Sequence, residues 1–353
     1  MPPKHLPDST LSIPQRHVGP LLVLDADRAP LYHGLVPLAT YESPLWPSVE
    51  RGARLAERAG GIVASVRSDA MTRSVLLHAP TSADAHRLAS WLETRRPDLE
   101  TVAASTSRFA RLLAVHTETV GPHLYVRFAF ATGDASGHNM ATRAAEALLN
   151  WILAQRPETA YGSISGNLCC DKKTSAVNGL LGRGKSVTAE ALLPAPLVAR
   201  FLHTTPDAIE RLCWHKNWVG STLAGSLRSA NAHAANMLLA FYLATGQDAA
   251  NIVEGSQCFT LAETLPDGSL RFTCDLPNLI LGTAGNGKNL PDVAQNLAAL
   301  GCADPTLPPG ANARRLACIC AAVVLCGELS LLAAQTNPGE LMSAHLSMER
   351  RPR

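Results

Sequence analysis

Residues 74–94 read SVLLHAPTSADAHRLASWLET. Ser74 to His78 is a short apolar run of strand length, closed by Ala79-Pro80. Ser82 to Thr94 carries its apolar residues at helical spacing behind a serine that can cap it. Short elements continue to alternate downstream. Phe109 to His116 and Leu124 to Ala131 read as strands, the second alternating as LYVRFAFA. Ala141 to Gln155 is a helix ended by Arg156-Pro157, and Tyr161 to Ile164 is a short strand. A β-α-β-β-α-β order is the split unit of a ferredoxin-like domain. The expected fold class is therefore α+β. A small ferredoxin-like domain, residues 73–163, is inserted in a larger, mostly helical, discontinuous one, residues 1–72 and 164–353.

The flanks support that larger domain. Residues 1–17 are proline-rich and read as irregular, 20–24 and 61–68 as strands, and Ser48 to Ala59 as a helix. Beyond Ser165, strands are expected at Val187–Leu193, Cys258–Ala262 and Leu270–Cys274. Helices are expected at Ala195–His203, Pro206–Lys216, Ala230–Thr245, Pro291–Gly301 and Ala313–Gln335.

With 46% hydrophobic and 17% charged residues, the chain can bury a large core. A net charge of +2 without a basic block gives no footing for nucleic acid. Nine cysteines, an odd number without a CxxC, sit mostly in apolar runs, which suits reduced thiols in a cytoplasmic protein and offers no metal framework. The N-terminus has no secretory pattern. Leu316 to Ala334 is apolar enough to suggest a membrane span, but Glu328 lies inside it, so a buried core helix is expected and no membrane partner.

Lys172 and Lys173 stand out because the chain has six lysines against 25 arginines. An ammonium pair beside Asp171 can stabilise an oxyanion or bind a carboxylate, or can simply be a surface turn with a salt bridge. Glu42 and Asp248 lie in apolar surroundings that would raise a carboxyl pKa on burial, and each alone also reads as a cap or a core acid. Residues 179–186, GLLGRGKS, spell a phosphate-loop pattern. The preceding DKKTSAVN reads as helix and the following VTAEALLP as strand, the reverse of what a phosphate loop needs. GTAGNG at 282–287 is a plain glycine-rich loop by itself, and GDASGHNM at 133–140 opens a helix where a phosphate or an ordinary N-cap would fit.

Together these segments resemble the 3-hydroxy-3-methylglutaryl-coenzyme A (HMG-CoA) reductase family, closer to its eukaryotic and archaeal class. The resemblance runs from about Val18 to the C-terminus. It is carried by residues 165–194, 216–251, MTRS at 71–74, STSRFARL at 105–112, GDASGHNM, GTAGNGKNL at 282–290, GELSLLAA at 327–334 and SAH at 343–345. It implies a four-electron reduction of a thioester to an alcohol with NADPH, coenzyme A being part of the substrate, and no metal. Catalytic positions map to Glu42, a proton donor or relay, and Lys172, which stabilises the oxyanion. Asp248 holds their network, and His345 protonates the departing thiolate. Arg73, Ser165, Asp171, Lys173, Lys216 and Asn236 match substrate-holding positions, and Arg51 matches a CoA phosphate contact. Ser107, Arg108, Phe109, Asp134, Ala135, Ser136, Gly137, Asn139, Gly285 and Gly287 match the dinucleotide site, with Arg108 favouring NADPH through its 2′-phosphate. A homodimer or higher even oligomer with sites between subunits is implied as well.

The chain also departs from that pattern. An upstream Glu-Asn-x-Ile-Gly signature is absent, since Thr10 to His17 read TLSIPQRH. Ser43 follows Glu42 where glycine is usual, Ser136 and His138 replace methionines, and Asn286 and Lys288 replace glycine and threonine. These changes keep two alternatives open: a paralogue reducing another acyl thioester, and a protein that binds nucleotide or CoA without turnover.

Overall fold

The computed structural model describes residues 11–349, except the side chains of 344, 345 and 347–349. Strands β1 (Gln15–Leu24) and β2 (Pro30–Ala39) form a hairpin, followed by helix α1 (Leu45–Arg58) and the long strand β3 (Ile62–His78). Next come helices α2 (Ser82–Thr94) and α3 (Arg96–Thr106), strands β4 (Arg111–Val120) and β5 (His123–Ala131), helix α4 (His138–Gln155) and strand β6 (Ala160–Ser163). Helix α5 (Ala176–Leu181) leads into β7 (Gly184–Leu193), then α6 (Ala195–Leu202) and α7 (Pro206–Leu212). A π-helical turn (Cys213–Gly220) precedes α8 (Ser221–Leu223), α9 (Ala234–Ala244) and α10 (Ile252–Gly255). Strands β8 (Phe259–Thr264) and β9 (Leu270–Leu279) are followed by α11 (Pro291–Ala299), α12 (Ala311–Thr336) and α13 (Glu340–Glu349).

Strand β3 belongs to two sheets. Its first half pairs in parallel with β1 and antiparallel with β7, within the order β2-β1-β3-β7-β9-β8. Its second half pairs antiparallel with β5 and β6, giving the order β4-β5-β3-β6. Two apolar cores follow from this. One packs β3, β4 and β5 under α2, α3 and α4 through Val75, Leu88, Leu99, Phe128, Phe130 and Leu148. The other gathers the large sheet around α1, α9 and α12. Helix α12 runs through its centre, with its most apolar stretch 94% buried inside the fold. Each fully buried Leu or Val on it contributes ~1.5–3 kcal/mol. Close approach to α1 needs Gly52, since a Cβ there would collide with the Cys326 carbonyl.

Several elements differ from the sequence reading for physical reasons. β1 begins at Gln15, inside the stretch expected to be irregular, because the unexpected β2 pairs with it. β2 carries Pro30 and Pro37, which an edge strand tolerates. β3 is continuous through Ser68-Asp69, with a register shift just before them, between Val66 and Ser68. α3 follows Arg95 directly, with Pro97 in its first turn rather than breaking it. Thr81, not Ser82, caps α2 by accepting from the Asp84 N–H at 3.2 Å. Residues 171–174 are a turn, so the expected helix starts only at Ala176, behind a Ser175 cap.

Candidate active site

The loop between β6 and α5 carries Lys172 on a backbone that side chains other than glycine seldom adopt. Asn167, Cys170 and Lys172 have φ of 59°, 43° and 55°. Left-handed residues of this kind cost about 1–2 kcal/mol each and persist where the surroundings impose them. Fully buried Asn178 donates from Nδ2 to the carbonyls of Cys169 and Cys170, both at 3.1 Å. The Lys172 N–H donates to Glu254 Oε1 at 3.1 Å.

So held, Lys172 places its Nζ 2.9 Å from Asp248 Oδ2. The Asp248 hydrogen bond raises the Lys172 pKa, and the same bond lowers that of Asp248. Asp248 is not buried, so the rise in pKa that burial would bring does not arise, and the residue is the cap that its type alone suggested. Its side chain is 49% exposed, and its Oδ1 accepts from the Ala250 N–H. Lys173 faces away, its Nζ reaching the Asp171 carbonyl at 3.1 Å.

Beneath this pair runs a buried chain of charges. Arg183 Nη1 lies 2.9 Å from Glu254 and 3.1 Å from Asp171, with Arg183 and Glu254 both fully buried. Burial pushes the Glu254 carboxyl up, against the pull of Arg183. His138, 3.6 Å from Asp171 Oδ1, does most to hold the Asp171 carboxyl below its usual range. Burial opposes that effect, and Arg183 and Arg73 add to it. The Arg73 Nε is buried without a hydrogen-bond partner among the described residues. Arg183 belongs to the phosphate-loop look-alike, whose context is helix before and strand after. Its Lys185 is 2% exposed and paired with Asp69 at 3.0 Å, so the motif is built into the core.

A second group lines a cavity of about 400 Å³ formed by the start of α1, α12 and α13, and includes Glu42, Arg51, His233, Asn236 and Glu340. Buried Glu328 sets its wall, accepting from the N–H groups of Ala232 at 2.7 Å and His233 at 2.6 Å. Arg51 donates to Ser330 and pairs with Glu340 at 2.6 Å. Burial works to raise the Glu340 carboxyl, but hydrogen bonds from Arg51 and Asn337 outweigh it and hold it low. Lys216 lies in the π-helical turn, its Nζ 3.3 Å from Asn217 Oδ1; burial lowers its pKa while Glu328 opposes.

The third group joins three loops. Arg108 stacks over Phe109 at 4.7 Å, and both line a cavity of about 410 Å³ with Arg111, Gly133 and Arg314. Ser107 caps the turn by accepting from the Phe109 N–H at 3.3 Å. Asp134 has a structural task that the sequence did not reveal. Its carboxylate accepts from Gly310 N–H at 2.9 Å and Ala313 N–H at 3.0 Å, fixing the start of α12. Ala135 bridges to Ala284, and the backbone of 134–136 packs so tightly on Gly282 that a Cβ there would strike Ser136 N. Gly137, at φ 94°, turns the chain into α4, where Asn139 is exposed. Gly285 and Gly287 have φ of 111° and 81°. Lys288, pushed down to about 8 by burial, donates to the carbonyls of Thr245 and Gly246, just before Asp248.

Within one chain Lys172 and Asp248 meet, and Asp171 and Arg73 join them through charge. Glu42, Arg51 and Asn236 meet elsewhere, and among the described residues no hydrogen bond or ion pair joins Glu42 to Lys172. Ser165 is exposed, its N–H donating to Ser163 Oγ. His345 lies on α13, and its side chain is outside the described residues. Sequence reading did not select Arg183, His233 or Glu254 as site residues, and met His138 only as a departure within the dinucleotide run. Arg183 was hidden inside a misleading motif, and His233 inside NAHAAN offered no pattern.

Comparison with known proteins bears on this geometry. The family model described as hydroxymethylglutaryl-coenzyme A reductase matches residues 9–350. A 3-hydroxy-3-methylglutaryl-coenzyme A reductase of Pyrococcus horikoshii is 45% identical over 300 residues, covering 85% of this chain and 72% of that protein. One from Aeropyrum pernix is 42% identical over 341 residues, covering 96% and 80%. Among solved structures, the class II reductase of Streptococcus pneumoniae bound to NADPH superposes with a TM-score of 0.72 at 20% identity, covering 93% of this chain and 86% of that one.

Proposed function

This chain belongs to the hydroxymethylglutaryl-coenzyme A reductase family, and on that premise we propose that it reduces HMG-CoA to mevalonate and CoA with NADPH. The observation that carries the reading is the Lys172–Asp248 pair on a strained, overdetermined loop. Reduction of a thioester, and then of the aldehyde it yields, places negative charge on a carbonyl oxygen. A fixed ammonium aimed at that oxygen lowers both barriers. Asp248 keeps Lys172 charged and oriented. Arg73 and Asp171, with Ser165, Lys173, Lys216 and Asn236, would hold the acyl group, and Arg51 a phosphate of CoA. Glu42 would relay a proton, and His345 would protonate the leaving thiolate, which leaves more readily as a thiol.

The split β-α-β-β-α-β segment, residues 73–163, would be the dinucleotide-binding domain inserted in the catalytic one. Its residues suit a phosphorylated dinucleotide. Arg108, Arg111 and Arg314 line one cavity with Gly133, and the loop at 133–139 bridges to that at 282–287 through Ala135 and Ala284. Guanidinium groups match phosphate geometry, so Arg108 would favour NADPH over NADH. When bound, the reduced nicotinamide supplies the hydride. Ser107, Phe109, Ala135, Ser136, Gly137, Asn139, Gly285 and Gly287 would shape its seat.

Glu42 lines a cavity that Lys172 does not reach, which supports a homodimer or higher even oligomer whose sites form between subunits. Exposed Leu180, Leu181, Trp214 and Leu223 provide apolar surface for such a contact. A cytoplasmic location fits the reduced, buried thiols. The test is purified protein with HMG-CoA and NADPH. Two NADPH oxidised per mevalonate supports the reading. Turnover of another acyl-CoA with none on HMG-CoA would replace it.

A further inference from the structure

His138 opens α4 immediately after left-handed Gly137, on the loop that would seat the dinucleotide. Its Nε2 is buried, has no hydrogen-bond partner among the described residues, and lies 3.6 Å from Asp171 Oδ1. That oxygen is buried as well and lies 3.1 Å from the Arg183 guanidinium. Asp171 immediately precedes Lys172. The two side chains are 20% and 27% exposed, so solvent screens them little.

We propose that His138 is a positioning residue of the reductase site, its imidazolium gripping Asp171 and so tying the dinucleotide loop to the loop that carries Lys172. A gap of 3.6 Å is a few tenths of an ångström longer than a charge-assisted hydrogen bond. Active-site bonds of this kind tighten in the substrate complex. A small inward shift of the α4 N-terminus would close this one. Binding of dinucleotide and orientation of Lys172 would then be linked.

The groups facing His138 decide when the grip holds. Asp171 comes from the lysine loop, and Asp248 from the turn after α9 also feels the imidazole charge. Arg183 and Arg73 share Asp171, while Lys172 engages Asp248. The two acids favour the imidazolium and the three cations oppose it. Asp171 is ionised throughout the neutral range, because its pKa is lowered. An imidazolium therefore grips this carboxylate more strongly than a neutral imidazole does.

The inference rests on the reductase reading, so the test uses two readouts. NADPH affinity is measured by calorimetry across neutral pH, and kcat/KM for HMG-CoA alongside it, for wild type, His138→Met and His138→Gln. Wild type should lose roughly threefold to tenfold in both quantities as an imidazole deprotonates, the range set by a partly buried ion pair. His138→Gln donates a neutral N–H at every pH, so it should keep most of the affinity with a flat profile. His138→Met should be flat at the weak end. A wild-type profile without an imidazole limb, or a limb that survives in His138→Gln, overturns the inference even if His138→Met does not fold. Wild-type protein that neither binds NADPH nor turns over would instead overturn the reductase reading.

Discussion

Lys172 Nζ sits 2.9 Å from Asp248 Oδ2, and the Lys172 N–H is fixed by Glu254 Oε1 at 3.1 Å. One residue is thus anchored at both ends, by an exposed carboxylate at its tip and a buried one at its backbone. The same Glu254 oxygen also faces Arg183 at 2.9 Å. Loop conformation is therefore held by a buried ion pair, while the lysine charge is held chiefly by Asp248.

Asp248→Asn should slow turnover roughly tenfold to hundredfold, since an ill-fixed cation stabilises the oxyanion less. The pH dependence gives a sharper check. Asp248 raises the Lys172 pKa, so wild-type Lys172 stays protonated to higher pH than it otherwise would. Without that carboxylate the alkaline limb of kcat should move to lower pH. An unmoved limb would separate Lys172 from Asp248 in function.

Arg183→Met should destabilise the fold by ~3–5 kcal/mol, because Glu254 is left buried without its counter-ion. The double variant Arg183→Met/Glu254→Gln should recover part of that loss. Urea unfolding measures both. A loss below ~1 kcal/mol in the single variant would mean that water or another cation satisfies Glu254.

Some of this was legible in the sequence and some was not. Local patterns identified α2 at its observed bounds, and the alternation LYVRFAFA identified β5. The inverted context of GLLGRGKS was readable as well, since α5 ends in its first residues and β7 begins in its last. Pairing partners were not readable. Nothing local says that β3 serves two sheets, or that Pro-bearing β2 is an edge strand. Likewise local sequence singled out Lys172 and Asp248 one at a time, and only the family resemblance linked them, because their contact depends on a turn capped 76 residues away in sequence. Residues whose chemistry is spent inside the fold, such as Asp134 holding α12, look the same in sequence as those facing a ligand.

Cys170 should be the fast-reacting thiol among the nine cysteines. It alone is partly exposed, and burial or neighbouring acids raise the pKa of Cys213, Cys302, Cys318, Cys320 and Cys326. Brief treatment with iodoacetamide should add one group at Cys170, by mass spectrometry, and reduce activity because the adduct crowds Lys172. Fast labelling spread over several cysteines would contradict the burial pattern.

Mixing inactive Glu42→Ala and Lys172→Ala proteins, with subunit exchange allowed, should restore partial activity. Hybrid assemblies would contain some sites with both residues intact. Mixtures that stay inactive despite proven exchange would place the complete site within one chain.

Hydride transfer by Lys172→Ala tests the central claim most directly. NADPH affinity should stay within about twofold of wild type, while turnover of HMG-CoA falls ~10²-fold or more, because the ammonium acts mainly as the oxyanion forms. A Lys172→Ala enzyme retaining more than about a tenth of wild-type turnover would contradict the oxyanion role.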